Sequence, residues 1–238
     1  MSASYSVGIV IPAGGRGTRF GAQIPKQFLD LLGTPIIVRS VRAALAASNV
    51  TCVVISVQQE SREELMAILR EHDCQDPRLV LVDGGAERHH SVARGLEHPS
   101  MESLDVILIH DAVRPLASVA LFDRVAQAAM THGAVIPVIA VPDTLKRITP
   151  DGVVVATIDR SEIRRAQTPQ GFFGPLIRAV YSDAMERERA ATDCASLCEQ
   201  AGVDVHVVEG EETNIKVTTP FDLQIACTVM QASNQPDA

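Results

Sequence analysis

The stretch from Pro12 to Lys26 concentrates the residue types that hold phosphate. Ala13-Gly14-Gly15-Arg16-Gly17-Thr18-Arg19-Phe20-Gly21 and the exit Pro25-Lys26 carry four glycines and three bases, and the whole stretch contains no acid. Glycines let backbone N–H groups approach phosphate oxygens, and neighbouring bases neutralise them. The spacing is not GxxxxGK[ST], so this is no P-loop. Gly15-x-Gly17 is followed by Phe20 where a dinucleotide fingerprint needs a small residue. The loop reads as a grip for the triphosphate of a nucleotide. Asp111 stands just past the apolar run Val106–His110. A carboxylate there suits Mg²⁺, which binds through one or two carboxylates plus phosphate oxygens; it also suits the capping of a turn or helix. Arg160 and Lys216, taken alone, read as solvated surface bases. Cys194 and Cys198 lie one helical turn apart, but no matching Cys or His pair accompanies them, so they read as thiols rather than as a zinc site.

The elements that must position these residues follow from periodicity and punctuation. Val7 to Ile11 is a continuous β-branched run, as in a strand covered on both faces. Thr34-Pro35 opens a helix from about Ile36 to Ala47, with Pro35 suited to the first helical position. Cys52 to Val57 is a second strand, and Ser61 with Glu64 fits a capping box for a helix to about His72. Leu79 to Val82, Val106 to His110 and Val135 to Val141 are further strands, separated by helices at Arg88–Leu96 and about Val119–Thr131. This alternation predicts an α/β fold with a doubly wound, mostly parallel sheet. In such sheets ligands sit beyond the carboxyl ends of the strands, so the loops after Ile11, Val82 and Ile109 are expected on one face. The alternation breaks after Val141. Asp143–Ile148, the turn Thr149-Pro150-Asp151-Gly152 and Val153–Ile158 read as a protruding β-hairpin arm at about 143–160. Two strands alone are marginal in water, which predicts a homodimer with the arm packed on its partner. Helices then follow at Pro175–Arg189 and Asp193–Ala201, a strand at Val205–Val208 and a last helix at Pro220–Met230.

The bulk numbers narrow the function classes. The 238 residues suit a single α/β domain with one appendage. The net charge of −8, the absence of Trp and the few aromatics argue against a nucleic-acid binder. Five cysteines without a CxxC suit a reduced compartment. No basic leader opens the chain, and apolar runs are strand-sized, so a cytoplasmic protein without membrane contact is expected.

The motifs, in order, resemble a known family. Ala13-Gly14-Gly15-Arg16-Gly17-Thr18-Arg19 with Pro25-Lys26-Gln27-Phe28 is similar to the signature of nucleotidyltransferases that activate sugars and polyols. Asp83-Gly84-Gly85 with Arg88 and Ser91, His110-Asp111-Ala112-Val113-Arg114-Pro115, Asp143-Thr144, Asp159-Arg160, Gln167-Thr168-Pro169-Gln170, Thr192-Asp193 and Asn214-Ile215-Lys216-Val217-Thr218 extend the likeness over nearly the whole chain. The set resembles the 2-C-methyl-D-erythritol 4-phosphate cytidylyltransferase family of non-mevalonate isoprenoid synthesis. The resemblance implies a Rossmann-like, nucleotide-diphospho-sugar transferase-like fold and a reaction of CTP with a polyol phosphate, aided by Mg²⁺. It assigns Arg19 and Lys26 to charge stabilisation at the α-phosphate and the leaving pyrophosphate. Arg160 and Lys216 hold the acceptor phosphate for attack. Asp111 stands at the substrates and the metal, and Arg114 and Thr168 at the acceptor. Ala13, Gly14, Gly15, Gly17, Gly85, Ser91 and Ala112 shape the nucleotide pocket. Thr144 and Arg160 are implied to reach the neighbouring subunit's site. His89 and His90 are read as loop residues without a role, since a phosphate nucleophile is already anionic.

The chain departs from the pattern at Gly14, where relatives often carry Ala, and at the short Ala22-Gln23-Ile24. Ribitol-5-phosphate cytidylyltransferases share most of the marks and form the nearest alternative; Asp143-Thr144-Leu145-Lys146 and Thr157-Ile158-Asp159-Arg160-Ser161 look more like the methylerythritol enzymes. An NAD-dependent reductase would need an acid at the end of the second strand, where Val57-Gln58-Gln59 stands. A non-catalytic nucleotide sensor would have little use for Asp111, Arg160 and Lys216 together.

Overall fold

A computed structural model describes residues 5–15, 24–189 and 191–233. Its centre is an eight-stranded sheet in the order β10-β5-β9-β4-β1-β2-β3, with β8 also paired to β5. The strands are β1 (Val7–Pro12), β2 (Val50–Val57), β3 (Leu79–Asp83), β4 (Val106–Ile109), β5 (Ala134–Ala140), β8 (Arg164–Ala166), β9 (Gln170–Phe173) and β10 (His206–Glu209). The pairs β1–β2, β1–β4, β2–β3 and β5–β10 are parallel. β9 lies antiparallel between β4 and β5. The expected doubly wound, mostly parallel sheet is thus present, with a reversed strand near its centre.

Side-chain alternation on the central strands builds two cores. Ile9 and Ile11 of β1, Val53 and Ile55 of β2 and Leu108 of β4 point to one face. There they meet α1 (Ile36–Ala46), α2 (Arg62–Glu71) and α4 (Val119–His132). Val10, Val54, Ile107 and Ile109 point to the other face, under α3 (Arg88–Leu96), α5 (Gly174–Glu186) and α6 (Cys194–Gln200). Strands apolar on both faces require helices on both, because each face must be taken out of water. A smaller cluster of Leu31, Ile36, Val113, Val217 and Ala226 seats α7 (Pro220–Ser233) against the loop after β4. Among the described residues no helix is long and apolar enough to cross a membrane.

Local capping differs from expectation in two places. Ser61 is the N-cap of α2 but its side chain makes no capping bond, so the Ser61–Glu64 box is not formed. A short 3₁₀ turn over Gln59–Ser61 leads into the helix instead. The capping box lies at α6, where Asp193 accepts from Ser196 N and Ser196 reaches back to the Asp193 backbone. Pro35 is the N-cap of α1, one residue before the position expected for it. The arm is present: β6 (Leu145–Ile148) and β7 (Val154–Ile158) pair antiparallel as a separate two-stranded sheet.

β8 and β9 have no counterpart in the periodicity. β9 is only four residues long, with Gln170 and Gly171 at its start, so no alternation is available to read. Gly171 sits opposite Leu108 on one side and Val135 on the other. A Cβ there would lie 2.6 Å from Val125 Cγ1 of α4, 3.0 Å from Leu108 Cδ2 and 3.1 Å from the Val125 carbonyl oxygen. The glycine lets α4 rest directly on the reversed strand. Gly171→Ala should therefore destabilise the fold by about 1–3 kcal/mol through overpacking. A shift of the urea midpoint at unchanged slope measures this, and an unshifted midpoint contradicts the close approach.

Candidate active site

Three loops at the carboxyl ends of β1, β3 and β4 converge as the topology requires. They form a cleft lined by Ala13, Gly14, Gly15, Lys26, Gly85, Arg88, Ser91, Asp111, Ala112 and Lys216, among others. A second cleft adjoins it, lined by Arg114, Gln167, Thr168, Gln170, Thr192 and Asp193, and shares Arg88, Asp111 and Lys216 with the first. Two compartments therefore meet at one charged wall.

The first cleft is held open by side chains that tie the glycine loops together. Gln58, at the end of β2, donates to Gly85 O at 2.9 Å and to Gly14 O at 3.5 Å. Ser91, in the first turns of α3, accepts from Gly85 N at 3.0 Å. Gln27 donates to Ala13 O at 2.6 Å, and Ala13 N donates to Ser56 O at 2.8 Å. The backbone groups of Ala13 and Gly85 are thus bonded within the protein and frame the pocket. Gly85 has no room for a side chain, since a Cβ would sit 2.2 Å from His90 Cβ. His89 and His90 are helical, within α3, rather than loop residues as expected. His89 is buried, and burial, then the neighbouring His90, lower its pKa.

The wall is built on Asp111. Arg88 Nε donates to Asp111 Oδ1 at 2.9 Å, Lys216 Nζ lies 2.8 Å from Oδ2, and Arg114 Nε lies 3.9 Å from Oδ2. Burial opposes the charge on Asp111, but Arg88, Lys216 and Arg114 outweigh it and hold the carboxyl far below the usual carboxylate range. Each partner is separately anchored. Arg88 opens α3, and its Nη1 reaches Cys194 Sγ at 3.4 Å. Lys216 is placed by the next residue, since Val217 N donates to Val113 O at 2.9 Å and Val217 is buried in the α7 cluster. Arg114 Nη1 donates to Asn214 O at 2.7 Å.

A hydrogen-bonded network fixes the second cleft behind this wall. Thr168 Oγ1 accepts from Asp111 N at 3.0 Å and lies 3.1 Å from His110 Nδ1. His110 Nε2 lies 3.3 Å from Arg114 O. Burial pulls the His110 imidazole down to about 4, so it is neutral at neutral pH. Asn214 Nδ2 donates to Thr168 O at 2.9 Å, and Gln167 Nε2 donates to Glu211 O at 2.7 Å. Gln170 of β9 donates to Asp193 Oδ2 at 2.7 Å and accepts from Cys194 N at 3.0 Å, which staples α6 to the sheet.

Of the residues singled out in the sequence, Ala13, Gly14, Gly15, Lys26, Gly85, Ser91, Asp111, Ala112 and Lys216 surround the first cleft, and Arg114 and Thr168 the second. Gly17 and Arg19 lie outside the described residues. Thr144 and Arg160 line neither cleft; both stand at the foot of the arm, where Arg160 Nη1 donates to Pro142 O. Cys194 and Cys198 are buried free thiols, and burial raises both, Cys198 to about 12. Sequence reasoning left Arg88, His110, Gln167 and Asn214 without a role although their motifs were visible, and it gave Gln58 none in the site. For Gln58 and His110 the signal was a polar residue ending an apolar strand, as in Val106-Ile107-Leu108-Ile109-His110; Gln167 and Asn214 follow no apolar run and carried no such signal.

Comparison with known proteins agrees with this architecture. A family model described as 2-C-methyl-D-erythritol 4-phosphate cytidylyltransferase matches residues 7–232. The protein of that name from Synechococcus elongatus is 41% identical over 224 residues, covering 94% of this chain and 95% of its own. That from Bacillus mycoides is 38% identical over 218 residues, covering 92% and 95%. The crystal structure of 4-diphosphocytidyl-2C-methyl-D-erythritol synthase from Anaerococcus prevotii superposes with a TM-score of 0.84 at 27% identity, over 96% of this chain and 97% of that one. The 2-C-methyl-D-erythritol 4-phosphate cytidylyltransferase of Thermus thermophilus gives 0.76 at 33% identity, over 95% and 99%. With a family model spanning residues 7–232 and relatives about 40% identical over nearly the whole chain, the chain belongs to the 2-C-methyl-D-erythritol 4-phosphate cytidylyltransferase family.

Proposed function

We propose that the paired clefts transfer a cytidylyl group from CTP to 2-C-methyl-D-erythritol 4-phosphate, giving 4-diphosphocytidyl-2-C-methyl-D-erythritol and pyrophosphate, in non-mevalonate isoprenoid precursor synthesis. The observation that carries the reading is the shared wall. Three cations on one buried carboxylate leave net positive charge between two compartments, where two phosphate-bearing substrates would meet. The glycine-lined cleft takes the nucleotide and the Arg114–Thr168 cleft the acceptor. An acceptor phosphate oxygen then attacks the α-phosphorus in line, the bond to the bridging oxygen breaks, and pyrophosphate leaves with the electron pair. No covalent enzyme intermediate is needed, so the protein's part is positioning and charge stabilisation.

Lys26 lines the nucleotide cleft and, with Arg19, neutralises the charge that grows on the leaving pyrophosphate. Lys216 and Arg160 hold the acceptor phosphate. Among the described residues no group of three metal-binding side chains occurs. The donor set therefore suits an ion carried in by the triphosphate rather than a resident one, since Mg²⁺ is commonly held by one or two carboxylates plus phosphate oxygens. Arg88, Lys216 and Arg114 oppose a lone divalent ion beside Asp111, and a polyphosphate removes that opposition. Bound in this way through Asp111, Mg²⁺ would supply further neutralisation of phosphate charge.

The same reading makes the chain a homodimer whose arm completes the partner's cleft. Ile148, Val153, Val154 and Val155 are exposed apolar residues on or beside the arm, and an isolated two-stranded sheet is marginal in water. Thr144 and Arg160, at the arm's foot, are then delivered to the neighbouring site.

Three outcomes follow. Pyrophosphate release from CTP should require 2-C-methyl-D-erythritol 4-phosphate and be weak with ribitol 5-phosphate; equal or better turnover of ribitol 5-phosphate would reverse the assignment. A chain lacking residues 144–158 should sediment as a monomer and lose activity, whereas an unchanged dimer would refute the arm. The third outcome concerns pH. His110 is depressed in the folded state, so as pH falls the unfolded chain gains a proton that the folded chain refuses, and stability declines between the ordinary histidine value and about 4. Between about pH 7 and about pH 4.5 the wild type should lose about 2–3 kcal/mol more than His110→Asn. Urea titrations at the two pH values measure this, and equal losses would contradict a neutral buried His110.

A further inference from the structure

We propose that Gln58 is a positioning residue for the nucleotide, and that its amide takes the space a side chain at Gly14 would fill. The inference rests on the reading that the first cleft takes CTP. It starts from the sheet order. β2 lies between β1 and β3, and the loops after those two strands both line the cleft, through Ala13, Gly14 and Gly15 and through Gly85 to Arg88. The carboxyl end of β2 therefore borders both loops. Ala13 N donates to Ser56 O at 2.8 Å, and Gly84 N donates to Val57 O at 2.7 Å, so the last residues of β2 hold the two backbones from between them. Gln58 comes next in the chain. Its Nε2 donates to Gly85 O at 2.9 Å and to Gly14 O at 3.5 Å. Both oxygens are carbonyls that can only accept, so the amide must turn its nitrogen toward them. One side chain thus sets the separation of the two loops.

Gly14 makes that reach possible. A Cβ at Gly14 would lie 2.9 Å from Gln58 Nε2, 3.6 Å from Gln58 Cδ and 3.3 Å from Ser91 Oγ. Ser91 Oγ is the other group that holds Gly85, accepting from its N at 3.0 Å. The two grips on Gly85 therefore meet where a methyl of residue 14 would stand. Such a methyl must push the Gln58 amide aside. The amide ends a flexible side chain, so it yields by stretching its bond to Gly85 O, and a stretched bond is a weak one. This contact also accounts for glycine at a position where relatives often carry Ala. Gln58 lines neither cleft, so it acts on a ligand through the loops it holds. CTP lying across both loops then meets a cleft already set to its width, which lowers the ordering needed on binding. Neither Gly14 nor Gly85 lines the second cleft. Loss of the Gln58 amide should therefore weaken the nucleotide and spare the acceptor.

Steady-state kinetics and direct titration with CTP test the pair. Gln58→Met keeps the length of the side chain and removes the amide. It should raise the Kd and KM for CTP about tenfold, the scale of a carbonyl that loses its donor. The kcat and the KM for 2-C-methyl-D-erythritol 4-phosphate should stay within about twofold, because a preset cleft helps ground state and transition state alike. Gly14→Ala should raise the CTP constants by a similar factor in the wild type. In a Gln58→Ala background, where the amide is already gone, the same change should cost no more than about twofold. An unchanged CTP affinity in Gln58→Met, an equal rise in both Michaelis constants, or losses that simply multiply in the double variant overturn the proposal. Should Gln58→Met fail to fold, Gln58→Asn, one methylene too short to reach, is read by the same outcomes. A wild type that binds no CTP would instead strike the functional reading, and this inference with it.

Discussion

A single carboxylate organises the molecule. Asp111 is buried, ionised and bonded to Arg88 and Lys216, with Arg114 close by. Removing one partner from a buried ion pair typically costs about 3–5 kcal/mol, because the remaining charge is stranded. The arrangement tolerates that risk because each partner comes from a different element: Arg88 from α3, Arg114 from the loop after β4, and Lys216 from the loop between β10 and α7. Two long-range connections, Arg88 from α3 and Lys216 from the loop before α7, close with the local i,i+3 partner Arg114 on one atom group, so the cluster reports whether the α/β/α sandwich is assembled. Its surplus positive charge is also what a phosphate would find there.

The reversed strand β9 gives the site its second compartment. A purely parallel sheet offers one crevice beyond its strand ends. Inserting β9 antiparallel between β4 and β5 brings its amino-terminal end, with Thr168 and Gln170 beside it, to the same edge as the carboxyl end of β4. Thr168 then bonds the Asp111 backbone, and Gln170 staples the start of α6. A second cleft thus appears directly beside the first, separated by the charged wall. That adjacency is what an in-line transfer between two bound molecules needs.

The polar residues around the wall are held by directed hydrogen bonds rather than by charge alone. Gln58 joins the loops after β1 and β3, Asn214 and Gln167 join the loop after β10 to the approach of β9, and His110 joins β4 to Thr168. Each is an amide or imidazole with both donor and acceptor capacity, so its orientation is set by what its neighbours can accept or give. Within this network Asn214 Oδ1 is left without a hydrogen-bond partner among the described residues.

Much of this was legible in the residues themselves. Local patterns determined the strand and helix sequence, because an apolar run covered on both faces and a capped amphipathic segment carry their signal within a dozen residues. The glycine loop, the position of Asp111 after a buried strand and the turn chemistry of the arm were equally local. Tertiary structure alone decided the reversal of β9, since four residues beginning Gln170-Gly171 hold no period and owe their strand to pairing on both sides. It alone decided that Arg88, Arg114 and Lys216 share one carboxylate, and that the polar groups of Gly85 are spent on Gln58 and Ser91. Composition names a charge but not its partner; the partner is chosen by where distant segments are folded, and that geometry is absent from any window of the chain.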